Sequence, residues 1–144
     1  MEDLNQKNSD ISQWVGKSAT REFDLTDQMI LQFANLSGDH SPIHIDPQYA
    51  TSRGFKGRVV HGALQSALVS CILGMDLPGP RGLLQELSMK YRKPCFGGDR
   101  LSITVTVEEV FASVKTVCMK IKVLNQHGET IAIGKAQSGV AQDE

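Results

Sequence analysis

Hydrophobic positions recur at helical spacing in the first half of the chain and follow strand-like patterns in the second half. Between Thr26 and Gly38, this spacing predicts a helix with one apolar face. Thr26 is expected to cap its start and Gly38 to end it. A longer helix is predicted from Gly62 to Met75, and because it is apolar on most sides, we expect it to be central and buried. The apolar positions of the first helix are Met29, Ile30, Phe33 and Leu36.

The segment between these two helices contains prolines that interrupt the helical pattern. Pro42 has no N–H to donate and keeps the residue before it out of helical geometry, so residues 40–44 are predicted to form a tight loop. Asp46 followed by Pro47 is typical of a helix start, and a short helix is therefore predicted over residues 47–52.

Strand-like runs dominate the rest of the chain. β-Branched and alternating residues predict four strands, and a fifth short strand is predicted before the first helix. The five predicted strands cover residues 16–23, 82–91, 100–110, 114–124 and 130–140. With glycine-rich turns between the later runs, the pattern predicts an antiparallel meander. The fold class is therefore α+β, with the long helix packed on a curved sheet.

Length and charge limit the classes of function. The 144 residues fit one domain, predicted over residues 12–144 behind a flexible tail of residues 1–11. The formal net charge of -1, with both signs mixed along the chain, gives no electrostatic case for a nucleic acid or membrane-surface partner. No signal peptide or membrane-spanning run is predicted, so we expect a cytoplasmic protein.

The three cysteines, Cys71, Cys95 and Cys118, are far apart and form no CxxC pair. This spacing fits neither a zinc ribbon nor a disulfide framework, and we expect no metal site. Cys71 and Cys118 lie in apolar runs and are predicted to be buried, inert thiols. Cys95 could be nucleophilic, although nothing in its surroundings in the sequence indicates that role.

Asp39 and His44 form the first candidate for chemistry. They lie five residues apart across the Pro42 loop, so both side chains can point into one cleft. An imidazole beside a carboxylate can transfer protons near neutral pH, and the two residues are a plausible acid–base pair. On spacing and composition alone, a cap of a helix or turn is the favoured explanation of Asp39.

Gly62, at the start of the long helix, is the second candidate. The first N–H groups of a helix have no partner inside it and carry a partial positive charge. Because glycine has no side chain, a ligand can approach the Gly62 N–H closely, and developing negative charge could be stabilised there. A glycine needed for a tight turn explains the same residue. The preceding His61 is predicted to be structural.

Residues 33–55 resemble the motif of the MaoC-like (R)-specific enoyl-CoA hydratases. His61 and Gly62, residues 77–80, Pro94, Gly98 and Asp99 are also similar to that family, so the resemblance covers roughly residues 20–140. The matching motif positions are Phe33, Ser37, Gly38, Asp39, Pro42, Ile43, His44, Asp46, Ala50 and Phe55.

The resemblance implies a single hot-dog fold, in which an antiparallel sheet wraps around one long helix, and a homodimer or higher oligomer. It implies that Asp39 and His44 hold a catalytic water and that the Gly62 N–H polarises a thioester carbonyl. Ser70 would support the catalytic aspartate, unless its hydroxyl only bonds its own helix. No separate cofactor is implied, since CoA or phosphopantetheine belongs to the substrate.

The implied reaction is (R)-specific hydration of trans-2-enoyl-CoA to (R)-3-hydroxyacyl-CoA, or its reverse. Which of Asp39 and His44 is the base stays open. One departure is Ser41, where the family usually has asparagine, because serine cannot make every hydrogen bond of an amide. Ser41 is therefore expected to alter loop geometry or acyl preference.

Two alternatives stay open. One is a dehydratase of 3-hydroxyacyl chains on an acyl carrier protein, and the other is a non-catalytic subunit that binds acyl thioesters. A hot-dog thioesterase fits the Asp39–His44 spacing less well. Basic side chains could meet either a CoA phosphate or an acidic carrier protein, so charge does not choose between the carriers. They are Arg53, Lys56, Arg58, Arg92 and Lys93.

Overall fold

The computed structural model describes residues 10–141, which form a five-stranded antiparallel sheet and four α-helices. Residues 1–9 of the predicted tail and residues 142–144 at the other end lie outside the described residues. The helices are α1 Asp27–Ser37, α2 Pro42–Ile45, α3 Pro47–Ser52 and α4 Gly62–Met75. The strands are β1 Ser18–Asp24, β2 Gly82–Tyr91, β3 Arg100–Phe111, β4 Thr116–Leu124 and β5 Thr130–Val140.

Helices α1, α3 and α4 form where the sequence pattern predicted them. The Thr26 hydroxyl accepts a hydrogen bond from the Met29 N–H at 3.1 Å, which caps α1. Gly38 ends α1 with φ 81°, a left-handed conformation that glycine adopts without a steric penalty. The Asp46 carboxylate caps α3 by accepting from the N–H groups of Gln48 and Tyr49.

Two expectations for this region were wrong. Leu36 was assigned to the apolar face of α1 but is 84% exposed, because the buried side of the helix is the one that carries Ile30 and Ala34. The segment expected to be a loop contains the short helix α2, which starts at Pro42. Proline is tolerated in the first turn of a helix, where its missing N–H would have no partner, so it starts α2 rather than preventing it.

The sheet has the strand order β1-β3-β4-β5-β2. The predicted meander is therefore correct for β3, β4 and β5 only. β2 pairs with β5, with Leu87 opposite Ala136, and so forms the far edge of the sheet instead of lying beside β3. The order of pairing depends on how the connection after β2 crosses the fold, which local periodicity does not encode.

The core lies between α4 and the inner face of the sheet. Leu64, Val69, Ile72 and Leu73 of α4 are buried, and alternate residues of β3 and β4 complete the core. Full burial of one such side chain stabilises the fold by about 1.5–3 kcal/mol. The opposite side of α4 is exposed in this chain and carries mostly small residues. These residues are Ala63, Ala67, Ser70 and Gly74.

The two ends of the described chain pack against the domain. Asp10 caps a 3-10 turn over Ile11–Gln13, and Trp14, only 7% exposed, joins the core. Ile11, placed in the predicted tail, packs against that core. At the other end Val140 is buried, and the Ala141 N–H donates to the Arg81 carbonyl. Among residues 10–141, no helix has the length and apolar character to cross a bilayer.

The cysteines differ in burial from the expectation. Cys95 is completely buried, whereas Cys71 and Cys118 are partly exposed. Burial raises the pKa of the Cys95 thiol to about 12, and the Asp99 carboxylate contributes to the increase. Since the thiolate is the reactive form, Cys95 is not a plausible nucleophile.

We therefore predict that Cys95 is inert to a thiol-specific disulfide reagent at pH 8 in the native protein. Two thiols per chain should react slowly, and the third only after denaturation. A Cys95→Ser variant should lose the denaturation-dependent signal and keep the native one. Rapid reaction of all three native thiols would show that the Cys95 environment opens in solution.

Candidate active site

Asp39 and His44 meet where α1 ends and α2 begins. Gly38 turns the chain out of α1 immediately before Asp39, and α2 carries His44 back toward it. The His44 Nε2 atom lies 3.7 Å from Asp39 Oδ2. The two predicted residues are therefore neighbours, but their separation exceeds that of a direct hydrogen bond. The His44 side chain is 15% exposed and that of Asp39 is 48% exposed, so the pair is accessible to a small molecule.

The tautomer of a neutral His44 ring follows from its second contact. His44 Nδ1 lies 2.6 Å from the main-chain carbonyl oxygen of Val59. A carbonyl can only accept, so Nδ1 carries the proton and donates. The neutral ring then presents its lone pair at Nε2, the atom that faces Asp39. This is the arrangement that a general base requires.

Asp39 is held as a carboxylate by the turn that follows it. The Ser41 N–H donates to Asp39 Oδ1 at 3.1 Å, and the Ser37 hydroxyl accepts from the Asp39 N–H at the same distance. The Ser41 N–H is the largest cause that lowers the pKa of Asp39, followed by the Ser41 hydroxyl. Ser41 thus acts mainly through its main chain, a contact that asparagine at this position would also provide.

His61 is a third imidazole, buried beneath the pair. It is 2% exposed, and its Nε2 lies 3.0 Å from the main-chain oxygen of Asp39. Its ring stacks on His44 with centroids 3.8 Å apart and 21° between the planes. The Phe33 ring contacts the His61 ring edge-on at 4.9 Å. The sequence predicted a structural histidine, and its contact with both candidate residues could not be inferred from the pattern.

Asp39, His44 and His61 each offer a possible ligand atom, and these atoms lie within 4.8 Å of one another. Their geometry does not fit a metal ion. A metal lies close to the plane of each imidazole that binds it, at about 2.0–2.1 Å from the nitrogen. The two rings are nearly parallel and stacked, so one ion cannot lie in both planes. In addition, His61 Nε2 already contacts a carbonyl oxygen.

His44 and Gly62 line one cleft with a volume of about 360 Å³. Gly62 is the first residue of α4, so the first helical turn, whose N–H groups have no partner inside the helix, begins at the same cleft. Tyr91 also lines the cleft, with its ring beside Gly62 and its hydroxyl 2.7 Å from the Ser66 hydroxyl. The remaining lining residues include Phe55, Val60, Gln65, Arg92 and Pro94.

The structure does not bring Ser70 to this cleft. Ser70 lies on the exposed side of α4 and lines a separate cavity of about 190 Å³ with Leu73, Gly74, Leu84 and Ser138. Within residues 10–141 it makes no side-chain hydrogen bond, either to Asp39 or to its own helix. Neither role expected for Ser70 is therefore seen in the single chain.

Known proteins resemble this chain in sequence and structure. The family model described as MaoC like domain matches residues 11–129. An (R)-specific enoyl-CoA hydratase of Rhodospirillum rubrum is 36% identical over 108 residues, 72% of this chain and 75% of that protein. The mitochondrial 3-hydroxyacyl-(acyl-carrier-protein) dehydratase of Arabidopsis thaliana is 31% identical over 121 residues, 79% of this chain and 68% of that protein.

A solved structure with a similar sequence also has a similar fold. An unliganded R-hydratase of Pseudomonas aeruginosa superposes with a TM-score of 0.85 at 31% identity, covering 90% of this chain and 83% of that one. The expected hot-dog fold is confirmed by this similarity and by the sheet that packs on α4.

The contact between Gly62 and Tyr91 generates a prediction. A Cβ atom at position 62 would lie 3.0 Å from the Tyr91 ring, so Gly62→Ala must displace that ring and strain its contact with Ser66. Because the Tyr91 ring lines the cleft, we expect its displacement to lower ligand affinity or activity by about tenfold, which corresponds to about 1.4 kcal/mol. Isothermal titration with an acyl-CoA and steady-state kinetics would measure the loss.

The double variant Gly62→Ala, Tyr91→Leu provides the control. The smaller side chain makes room for the new methyl group while the residue 62 N–H is retained. Recovery relative to Gly62→Ala would assign the loss to the Tyr91 contact. If Gly62→Ala already has native affinity and activity, the absence of a side chain at position 62 is not required.

Proposed function

The chain belongs to the MaoC-like dehydratase family, and from this premise we propose that it hydrates trans-2-enoyl-CoA to (R)-3-hydroxyacyl-CoA and catalyses the reverse dehydration. Its relatives include proteins named (R)-specific enoyl-CoA hydratase and 3-hydroxybutyryl-CoA dehydratase, so the chain is a hydro-lyase. The observation that carries the proposed substrate and residue roles is the position of His44, which lies beside Asp39 and lines one cleft together with the N-terminus of α4.

In the proposed reaction His44 is the base. Its Nδ1–H donates to the Val59 carbonyl, which leaves the Nε2 lone pair free to take a proton from water. Asp39, kept ionised by the Ser41 N–H, accepts a hydrogen bond from the second O–H of that water and stabilises the imidazolium that forms. The 3.7 Å between the two side chains allows one water oxygen to contact both.

The electrons follow a conjugate addition. The water oxygen bonds to C3 of the enoyl thioester while the C2–C3 double bond electrons move toward the thioester carbonyl. The resulting negative oxygen is stabilised by the N–H groups at Gly62, and one such donor is worth roughly 3 kcal/mol. The His44 imidazolium then returns its proton to C2, which regenerates the neutral ring and completes the addition of one water molecule.

A dehydratase that acts on carrier-bound 3-hydroxyacyl chains is the second candidate. It is favoured by the similarity to the Arabidopsis thaliana protein, whose name specifies an acyl carrier protein. The bond changes are the same in reverse. Of the basic residues at the cleft, Lys93 is paired with Glu129 at 2.6 Å, while Arg92 has no ion pair within residues 10–141. Arg92 is thus the group that would meet a phosphate of either carrier.

The first test is Asp39→Asn with crotonyl-CoA as substrate. Asparagine keeps the size of the side chain but loses the charge that holds water and stabilises the imidazolium. We expect kcat/KM to fall by about 10²- to 10⁴-fold with the fold unchanged. The rate is measured from the loss of the enoyl-thioester absorbance as water adds to the double bond.

Asp24→Asn is the matched control, because Asp24 is an exposed carboxylate on β1 that pairs with Arg100. It should keep native activity. An Asp39→Asn enzyme with full activity would exclude the proposed roles. If the native protein turns over only a carrier-bound substrate, the second candidate is correct.

We also propose that two chains form a homodimer through β2 and the exposed side of α4. β2 is an edge strand whose Leu83 is 73% exposed and whose Leu84 is 40% exposed. Small residues on the adjacent face of α4 permit close approach of a second helix. An uncovered apolar edge strand favours pairing with another chain.

Light scattering should give twice the chain mass of 15.7 kDa for the native protein. Leu83→Glu should shift the species to the monomer mass, because it places a charge in the proposed interface. Leu36→Glu changes an 84% exposed leucine on α1 and should leave the dimer intact. A native protein with the monomer mass at micromolar concentration would contradict the proposed interface.

A further inference from the structure

We propose that His61 is a positioning residue that holds Asp39 and His44 in their reactive arrangement. This inference rests on the proposed function of that pair. It assigns His61 a role beyond closing the turn into α4, because a single buried ring contacts both members of the pair from below.

The first contact fixes Asp39. His61 Nε2 lies 3.0 Å from the Asp39 main-chain oxygen, which can only accept, so Nε2 carries the proton and donates. This bond joins the start of α4 to the turn after α1, across 22 residues of chain. With its main chain held by His61 and its carboxylate held by the Ser41 N–H, Asp39 is fixed at two points.

The second contact fixes the plane of His44. The Val59 carbonyl holds one ring atom of His44, but a single hydrogen bond leaves the ring free to rock about it. The His61 ring covers one face of His44 at 3.8 Å and removes that freedom. Phe33 in turn supports His61 from the side, so the supporting ring is itself packed.

His61 keeps this arrangement at a cost. In the neutral ring, donation from Nε2 leaves Nδ1 unprotonated, and this buried atom has no hydrogen-bond partner among residues 10–141. A buried polar atom without a partner is unfavourable and rare in native proteins. His61 is also the N-cap residue of α4, yet its side chain makes no capping hydrogen bond. The imidazole therefore serves the loop of Asp39 rather than its own helix.

His61 does not contact substrate in this arrangement. It is 2% exposed and lies beneath His44, which separates it from the cleft. Its effect should therefore appear in the rate of the chemical step and leave ground-state binding nearly unchanged. This effect on rate without an effect on binding distinguishes His61 from a residue of the substrate pocket.

Two substitutions separate the two contacts. His61→Phe keeps a ring of similar size for stacking and removes the donor to Asp39, whereas His61→Gln keeps an N–H donor and removes the ring. Because a displacement of about 1 Å can cost about 10²-fold in rate, we expect His61→Phe to lower kcat by about 10- to 100-fold with KM within about threefold. His61→Gln should recover part of kcat if the donor is the dominant contact.

Ile131→Val supplies the control for stability, since it removes a methyl group from a buried side chain that takes part in none of the hydrogen bonds or ring contacts that hold Asp39 and His44, and it keeps the main-chain carbonyl of residue 131. It should lower Tm while kcat stays native under conditions in which the protein is folded. If His61→Phe and His61→Gln both keep kcat within twofold, or lower it only as far as Ile131→Val does, the positioning role is excluded.

A spectroscopic readout makes the test independent of turnover. The His44 Nδ1 proton, bonded to Val59, and the Ser41 amide, bonded to Asp39, each report on one side of the pair by NMR. Both signals should shift or broaden in His61→Phe and stay native in Ile131→Val. If they are unchanged in His61→Phe, the positioning role is wrong. If the native protein has no hydratase activity at all, the proposed function fails while these signals still decide the role of His61.

Discussion

The hydrogen bond from His44 Nδ1 to the Val59 carbonyl is the interaction on which the candidate site depends. It selects which ring nitrogen of the neutral imidazole carries the proton, and it ties helix α2 to the segment that leads into α4. The Val59 N–H donates to the Ile43 carbonyl, and the Val60 N–H donates to the Cys95 carbonyl. The segment before α4 is therefore hydrogen-bonded both to α2 and to the connection between β2 and β3. A rigid scaffold of this kind is what a site needs to hold its groups in productive geometry.

Local chemistry explains why much of the fold could be predicted from the sequence. The bounds of α4 follow from Gly62 and from an unbroken apolar helical pattern, and the caps Thr26 and Asp46 define α1 and α3. The failures arise where distant parts of the chain decide the outcome. The exposure of Leu36 depends on which side of α1 meets the core, and the pairing of β2 with β5 depends on the path of the chain after Tyr91.

The candidate site, like the fold, could be predicted from the sequence only in part. The resemblance in sequence identified Asp39, His44 and Gly62. In the structure His44 lies 3.7 Å from Asp39 and lines one cleft together with Gly62. His61 and Tyr91 were missed as members of this region because their contacts join residues 22 and 29 positions apart, which no local pattern reports. Ser70 shows the opposite case, since the resemblance selected it and the single chain keeps it away from Asp39. Its place on the uncovered side of α4 connects it instead with the proposed dimer.

The separation between Asp39 and His44 is informative because it is too long for a direct hydrogen bond. A tight ion pair would favour the protonated imidazole and use up the lone pair that the proposed base needs. Here each group has its own polar partner, Ser41 for the carboxylate and Val59 for the ring. Two titratable groups with separate environments can hold different protonation states side by side, which is the requirement for dividing acid–base roles. The scaffold that keeps them apart is therefore as much a part of the proposed chemistry as the two side chains themselves.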